Sequence, residues 1–258
     1  MSLIISIYVN EGIVMASDSR LTITTPKGQI PYSDTNQKTF LCPNKCGISV
    51  CGNASYNNQP IGGYIENFIH SHTTDKTKIS EMPSLLLNYF NSIDPTRQSM
   101  FHICGYEEVD GKYNKMIYKV ETGPKPNIIH LNQGSTSGAC WDGEILTLSK
   151  ILKSQILTPR YYNVPNINIT LTDGSLVTIP DSAVLDKSQN SILPDIEIAW
   201  DAMTLQDAID FAKYALEITI KTMKFTLTSN TVGGPIEILV IKPKESKWLQ
   251  HKKLNVKD

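Results

Sequence analysis

The sequence has no apolar run approaching the roughly 20 residues a membrane helix requires. No basic-then-apolar signal segment precedes its first strand-like stretch, since Met1 leads straight into Leu3-Ile4-Ile5. An excess of charge is also missing: 24 Lys and Arg stand against 25 Asp and Glu, a formal net charge of −1. Phosphate binding needs a basic field, so neither nucleic acid nor a membrane surface is expected as partner. There is no GxxxxGK(S/T) or GxGxxG loop, no HExxH and no GxSxG. That excludes a conventional P-loop enzyme, dinucleotide enzyme or zincin. His70-Ser71-His72 is the best metal-like spacing, and residues two apart on a helix do not face each other. Cys42, Cys46, Cys51, Cys104 and Cys140 are an odd number without a CxxC pair. They read as small buried hydrophobes in a reduced, cytoplasmic compartment. No metal site and no organic cofactor is expected.

What is present is globular. Hydrophobic residues are 40% and charged residues 19% of 258, enough for a core without disulfide or metal staples. The length suits one enlarged domain over 1–258. Leu3, Ile5, Ile7 and Val9 alternate with Ile4, Ser6 and Tyr8, Asn10-Glu11-Gly12 breaks the run, and Ile13-Val14-Met15-Ala16 resumes it. This predicts a hairpin covered on both faces. A turn-rich stretch over 24–36 follows, then short strands around Phe40 and Ser49. Helical stripes run through Ile61, Ile65 and Phe68, and through Met82, Leu86 and Phe90, with Ser80 as an expected N-cap. Strands follow over 100–106, 115–120 and 128–131, with a hairpin signal at Asp110-Gly111. A short helix near Leu148 comes next. A long helix from Leu205 to Met223 starts at a capping-box-like Thr204 and Asp207, and Ile236 to Val240 closes as a strand. Strands and helices are grouped rather than strictly alternating, which predicts layered α+β with helices on largely antiparallel sheets. The stretch 154–200, with Pro159, Pro165, Pro180 and Pro194, reads as an insertion with a hairpin at Thr172-Asp173-Gly174. Residues 242–258 read as a short basic tail.

Chemistry points first to residue 2. A small residue after the initiator permits removal of Met1, leaving Ser2 with a hydroxyl nucleophile and, on the same residue, an α-amine that ordinarily titrates at roughly 7.7–8.0. Such an amine acts as general base at neutral pH without a histidine. Gly12-Ile13-Val14-Met15-Ala16-Ser17-Asp18-Ser19-Arg20 resembles the proteasome β-subunit signature. On that resemblance Ser2 falls where the family has its N-terminal threonine. Asp18 falls on the catalytic aspartate, Lys38 on the lysine, and Gly52 on the oxyanion-donor glycine. Gly134-Ser135-Thr136-Ser137-Gly138 resembles the family's Gly-Ser-Gly turn, with Ser137 as the active-site serine. Val232-Gly233-Gly234 resembles the glycine entry to a late strand. There the family's Asp-x-x-Ser is replaced, with Ser229 at the aspartate and Val232 at the serine, leaving Ser229 and Thr231 as supporting hydroxyls.

The resemblance implies a four-layer αββα N-terminal-nucleophile (Ntn) hydrolase sandwich, similar to the bacterial proteasome-like peptidases of the HslV and Anbu kind. It implies hydrolysis of a peptide or other amide, and a homo-oligomeric ring, with helices 60–72 and 80–93 as contact surfaces. Two other readings stand beside it: a catalytically inactive, self-assembling scaffold of the same fold, and an Ntn amidase acting on a small amide. Asp18 with Lys38 also fits a structural ion pair, and Gly52 a strand-end glycine. The sequence names no regulatory ATPase partner.

Overall fold

The computed structural model describes residues 2–26, 28–152, 167–179, 196–227 and 229–252. The chain divides into two compact units, Met1–Ile145 with Ala199–Asp258, and Leu146–Ile198.

The first unit opens with the predicted hairpin, β1 (Leu3–Val9) and β2 (Gly12–Ser17). Every residue of both strands is buried, as their apolar character on both faces requires. They sit inside a five-stranded sheet, flanked by β12 (Gly138–Gly143) on one side and by β15 (Glu237–Lys242) then β16 (Glu245–Gln250) on the other. A second five-stranded sheet holds β5 (Thr39–Leu41), β6 (Gly47–Gly52), β9 (Ser99–Val109), β10 (Lys112–Glu121) and β11 (Asn127–His130). All pairings in both sheets are antiparallel. Small hairpins pair β3 (Leu21–Thr25) with β4 (Gly28–Ser33) and β7 (Ser55–Tyr56) with β8 (Gln59–Pro60).

Helices α1 (Ile61–His72) and α2 (Met82–Ile93) bring Ile61, Ile65, Phe68, Met82, Leu86 and Phe90 onto one face of the second sheet. They meet Phe40, Ile48, Val50, Phe101, Ile103 and Val120 from its strands. Helix α4 (Leu205–Met223) lies against β1 and β2. Its capping box is formed: Asp207 N–H donates to Thr204 Oγ1, and the Asp207 carboxylate accepts the Thr204 N–H. Its buried side includes Ala208, Ala212 and Ala215, whose small side chains let the helix approach closely.

The facing sides of the two sheets change character along their length. At one end Tyr8, Ile13, Met15, Leu239 and Ile241 pack against Cys104 and Ile117. Two residues further along β2 and β15, on the same face, stand Ser17 and Glu237, paired with one another. Thr39 Oγ1 donates to Ser17 Oγ at 2.9 Å and lies 2.9 Å from Ser49 Oγ, all three buried. The polar end is the end nearest Ser2.

Three local expectations differ. Helix α2 starts after Glu81, and Ser80 instead donates its N–H to Glu107 Oε2 at 2.9 Å. The turn-rich stretch over 24–36 contains most of the β3–β4 hairpin, and the expected basic tail contains β16. Both are largely exposed strands without an apolar alternation to announce them.

In the second unit, α3 (Leu146–Leu152) and the hairpin of β13 (Ile167–Thr170) with β14 (Leu176–Ile179) are described. The turn lies at Thr172-Asp173-Gly174, where Asp173 Oδ1 accepts the Ser175 N–H at 2.9 Å. Residues 153–166 and 180–195, most of the expected insertion, lie outside the described residues, as does Met1. Among the described residues no helix is long and apolar enough to cross a membrane.

Candidate active site

Ser2 stands just before β1 and lines a cleft of about 640 Å³ together with Arg20, Lys38, Cys51, Gly52, Asn53 and Arg97. The hairpin register explains the first neighbour. Ile4 pairs with Ser17 across β1 and β2, so Asp18 falls beside the start of β1. Its Oδ1 accepts the Leu3 N–H at 3.0 Å and the Lys38 ammonium at 2.7 Å. Its Oδ2 accepts the backbone N–H of Arg20 at 3.1 Å and of Gly233 at 3.0 Å.

Lys38 and Asp18 are 2% and 0% exposed. A charge so placed is tolerated only when paired and hydrogen-bonded. Burial pulls the Lys38 pKa below its ordinary 10.5, while the charge and hydrogen bond of Asp18 oppose that fall. The ammonium therefore yields its proton more readily than a surface lysine, which suits proton transfer. Arg20 is occupied elsewhere: its Nε and Nη2 grip Asp34 at 2.6 and 2.7 Å. That bidentate pair lowers the Asp34 pKa.

Gly52 ends β6 with φ +104 and faces the cleft. A side chain there would press on Gln98 O and Ser99 Cα, each at 3.1 Å. This left-handed backbone suits glycine.

Ser137 is not brought to this cleft. Strand β12 runs antiparallel to β1, with Gly138 opposite Tyr8 and Gly143 opposite Leu3. Ser137 therefore lies at the far end of β1, level with Val9 and roughly 20 Å from Ser2 at about 3.3 Å per residue. Its hydroxyl donates to Asp201 Oδ1. The segment that does reach residue 2 is Asp142-Gly143-Glu144, and the Glu144 N–H donates to the Ser2 carbonyl at 2.7 Å. Gly143 has φ +101, and a Cβ on it would run into that carbonyl. The Ser2–Leu3 peptide is thus held at both polar groups, its C=O by Glu144 and its N–H by Asp18. The sequence signal for this turn was a glycine just before a helical stripe.

Ser229 is exposed, Val232 is fully buried, and Thr231 is buried with Oγ1 lacking a partner among the described residues. What reaches the site from this loop is backbone: Gly233 N–H to Asp18, and Gly233 C=O accepting the Ser19 N–H at 2.9 Å.

Sequence reasoning missed a further set. Glu237 is fully buried, with Lys252 Nζ at 3.2 Å as an ion pair and His251 Nδ1 at 2.8 Å beside it. Lys252 also donates to Ser19 Oγ at 3.1 Å and to Asn36 O at 2.8 Å. A glutamate inside the apolar run Ile236–Val240 was the available signal.

This arrangement of paired antiparallel sheets with flanking helices is a proteasome-like fold. The chain is similar to Anbu, the ancestral beta-subunit, from Yersinia bercovieri, with TM-score 0.53 and 14% identity over 96% of this chain and 86% of that one. It is likewise similar to an Anbu Gly-1 mutant from Hyphomicrobium sp. strain MC1, with TM-score 0.55 and 13% identity over 96% and 87%. At such identity the likeness establishes the shared fold. No protein-family model and no curated protein matches the chain.

Proposed function

We propose that the chain is a proteasome-like amide hydrolase, a four-layer αββα Ntn enzyme whose nucleophile is Ser2 after removal of Met1. The observation that carries this reading is the buried Asp18–Lys38 pair. Asp18 holds the Leu3 N–H, and Lys38 lines the same cleft as Ser2. Ser2 Oγ attacks the substrate carbonyl carbon, and its proton passes to the Ser2 α-amine. The Gly52 N–H receives the oxyanion; one such donor is worth about 10²–10³ in rate. The C–N bond breaks as the leaving amine takes that proton, giving an ester on Ser2. Water, deprotonated by the same amine, then hydrolyses the ester and restores the hydroxyl. Lys38 stabilises the alkoxide or relays the proton. The substrate is a peptide or other amide. A homo-oligomeric ring and a cytoplasmic location complete the reading, the latter supported by the free state of all five cysteines.

A second reading, an inactive scaffold, is favoured by one observation: exposed Ser229 and buried Val232 stand where the resemblance implies a supporting aspartate and serine. Intact mass of protein from its native host decides first, because retained Met1 would end the N-terminal-serine mechanism. With Met1 gone, a β-lactone should add covalently to the chain and fail to add to Ser2→Ala. No adduct on the wild type would favour the scaffold. Cleavage of small amides but not peptides would mark an amidase, and native mass reads the ring.

A further inference from the structure

We propose that Ser6, His102, Asp142 and Lys119 form a positioning chain for residue 2, acting through the Gly143-Glu144 turn. Its catalytic meaning rests on the reading of Ser2 as nucleophile; its structural part does not.

His102 is fully buried between the sheets. Its Nε2 lies 2.9 Å from Asp142 Oδ2 and its Nδ1 3.0 Å from Ser6 Oγ. A carboxylate only accepts, so Nε2 carries a hydrogen toward Asp142, while Nδ1 shares a hydrogen bond with the Ser6 hydroxyl. Asp142 Oδ1 accepts from Lys119 Nζ at 2.8 Å, and Lys119 also lies 3.2 Å from Glu121 Oε1. Burial alone would raise the Asp142 pKa, but the His102 hydrogen bond and the Lys119 charge outweigh it and hold the carboxyl below 3.8.

The order Ser-His-Asp is that of a hydrolytic triad, yet Ser6 is fully buried and no substrate can reach it. The chain ends instead at Asp142, whose neighbour Gly143 starts the turn that holds the Ser2 carbonyl. Ser2 lies outside β1, which begins at Leu3, so the strand's own ladder does not hold it in place. The tie therefore comes from the side, and a buried, fully partnered group fixes a turn better than an exposed one. His102 on β9 also couples that turn to the second sheet, whose β6 ends at Gly52 and whose β5 begins directly after Lys38, both residues lining the cleft.

The test uses the full chain and amide exchange at Glu144, which reads the turn whether or not Ser2 reacts, beside the rate of β-lactone addition. His102→Asn keeps a group near Nδ1 and loses the donor to Asp142; His102→Gln reaches the Nε2 position. In His102→Asn the Glu144 amide should exchange at least about tenfold faster and addition should slow by about 10–100-fold. His102→Gln should recover most of both at equal thermal stability. Lys119→Met, partly exposed, should give an intermediate loss and serves if His102→Asn does not fold. Unchanged Glu144 exchange in a folded variant, or no recovery with glutamine, overturns the proposal. A wild type that never labels, with Glu144 exchange still answering to His102, keeps the chain and removes only the nucleophile.

Discussion

Lys38 places its ammonium 2.7 Å from Asp18 where neither side chain meets solvent. Removing one partner of such a pair leaves the other as an uncompensated buried charge. Asp18→Asn should therefore cost about 3–5 kcal/mol of stability, measured by urea unfolding. The double variant Asp18→Asn, Lys38→Met should recover most of that loss while β-lactone addition stays absent. Recovery of addition together with stability would make the pair purely structural.

The same lysine sets a pH dependence. Burial places its folded pKa below the 10.5 of the unfolded chain. Between the two values the unfolded chain binds more protons, so this group makes stability rise with pH. Relative to Lys38→Met, the wild type should gain stability from pH 7 to pH 10. A relative loss over that interval in chemical denaturation would reverse the sign.

Gly143 has a positive φ and the Ser2 carbonyl against it. Gly143→Ala should shift the start of β1, abolish addition at Ser2 and cost about 1–3 kcal/mol. Mass spectrometry of the adduct and a melting curve check both. Wild-type addition in a folded Gly143→Ala would mean that the turn does not place residue 2.

Thr231 buries a hydroxyl without a partner among the described residues, a cost of about 1–3 kcal/mol. Thr231→Val keeps the shape and removes the hydroxyl, so stability should stay level or rise by up to about 1 kcal/mol. Addition at Ser2 should be unchanged. Loss of addition without loss of stability would assign the hydroxyl to the site.

The neighbours that the sequence disclosed are those joined by short-range register. Asp18 lies beside Leu3 because a tight hairpin leaves no choice of pairing, and the short β5–β6 hairpin has Lys38 just before its first strand and Gly52 at the end of its second. The structure places Ser137 at the end of β12 away from Ser2. The motif at Gly134–Gly138 marks where that strand begins, and its six residues run antiparallel to β1, so its far end meets Ser2. Edge pairing between distant segments is not written in local pattern. The same holds for His102, which lies 96 residues from Ser6. Strand β16 and the β3–β4 hairpin escaped for another reason: partly solvated strands need no apolar alternation.

The sheets are joined by unlike materials at their two ends. Packing of Ile13, Met15, Leu239 and Ile241 does not titrate, whereas the Asp142 carboxyl, held below its ordinary 3.8 by His102 and Lys119, contributes stability that is lost as acid protonates it. Acid should therefore part the layers from the Ser2 end, like a book opening from its fore-edge with its spine at Ile13 and Ile241. The amides of Leu3 and Ile4 should lose exchange protection at a higher pH than those of Ile13 and Val14. The candidate site would then dissolve while the chain around it is still folded.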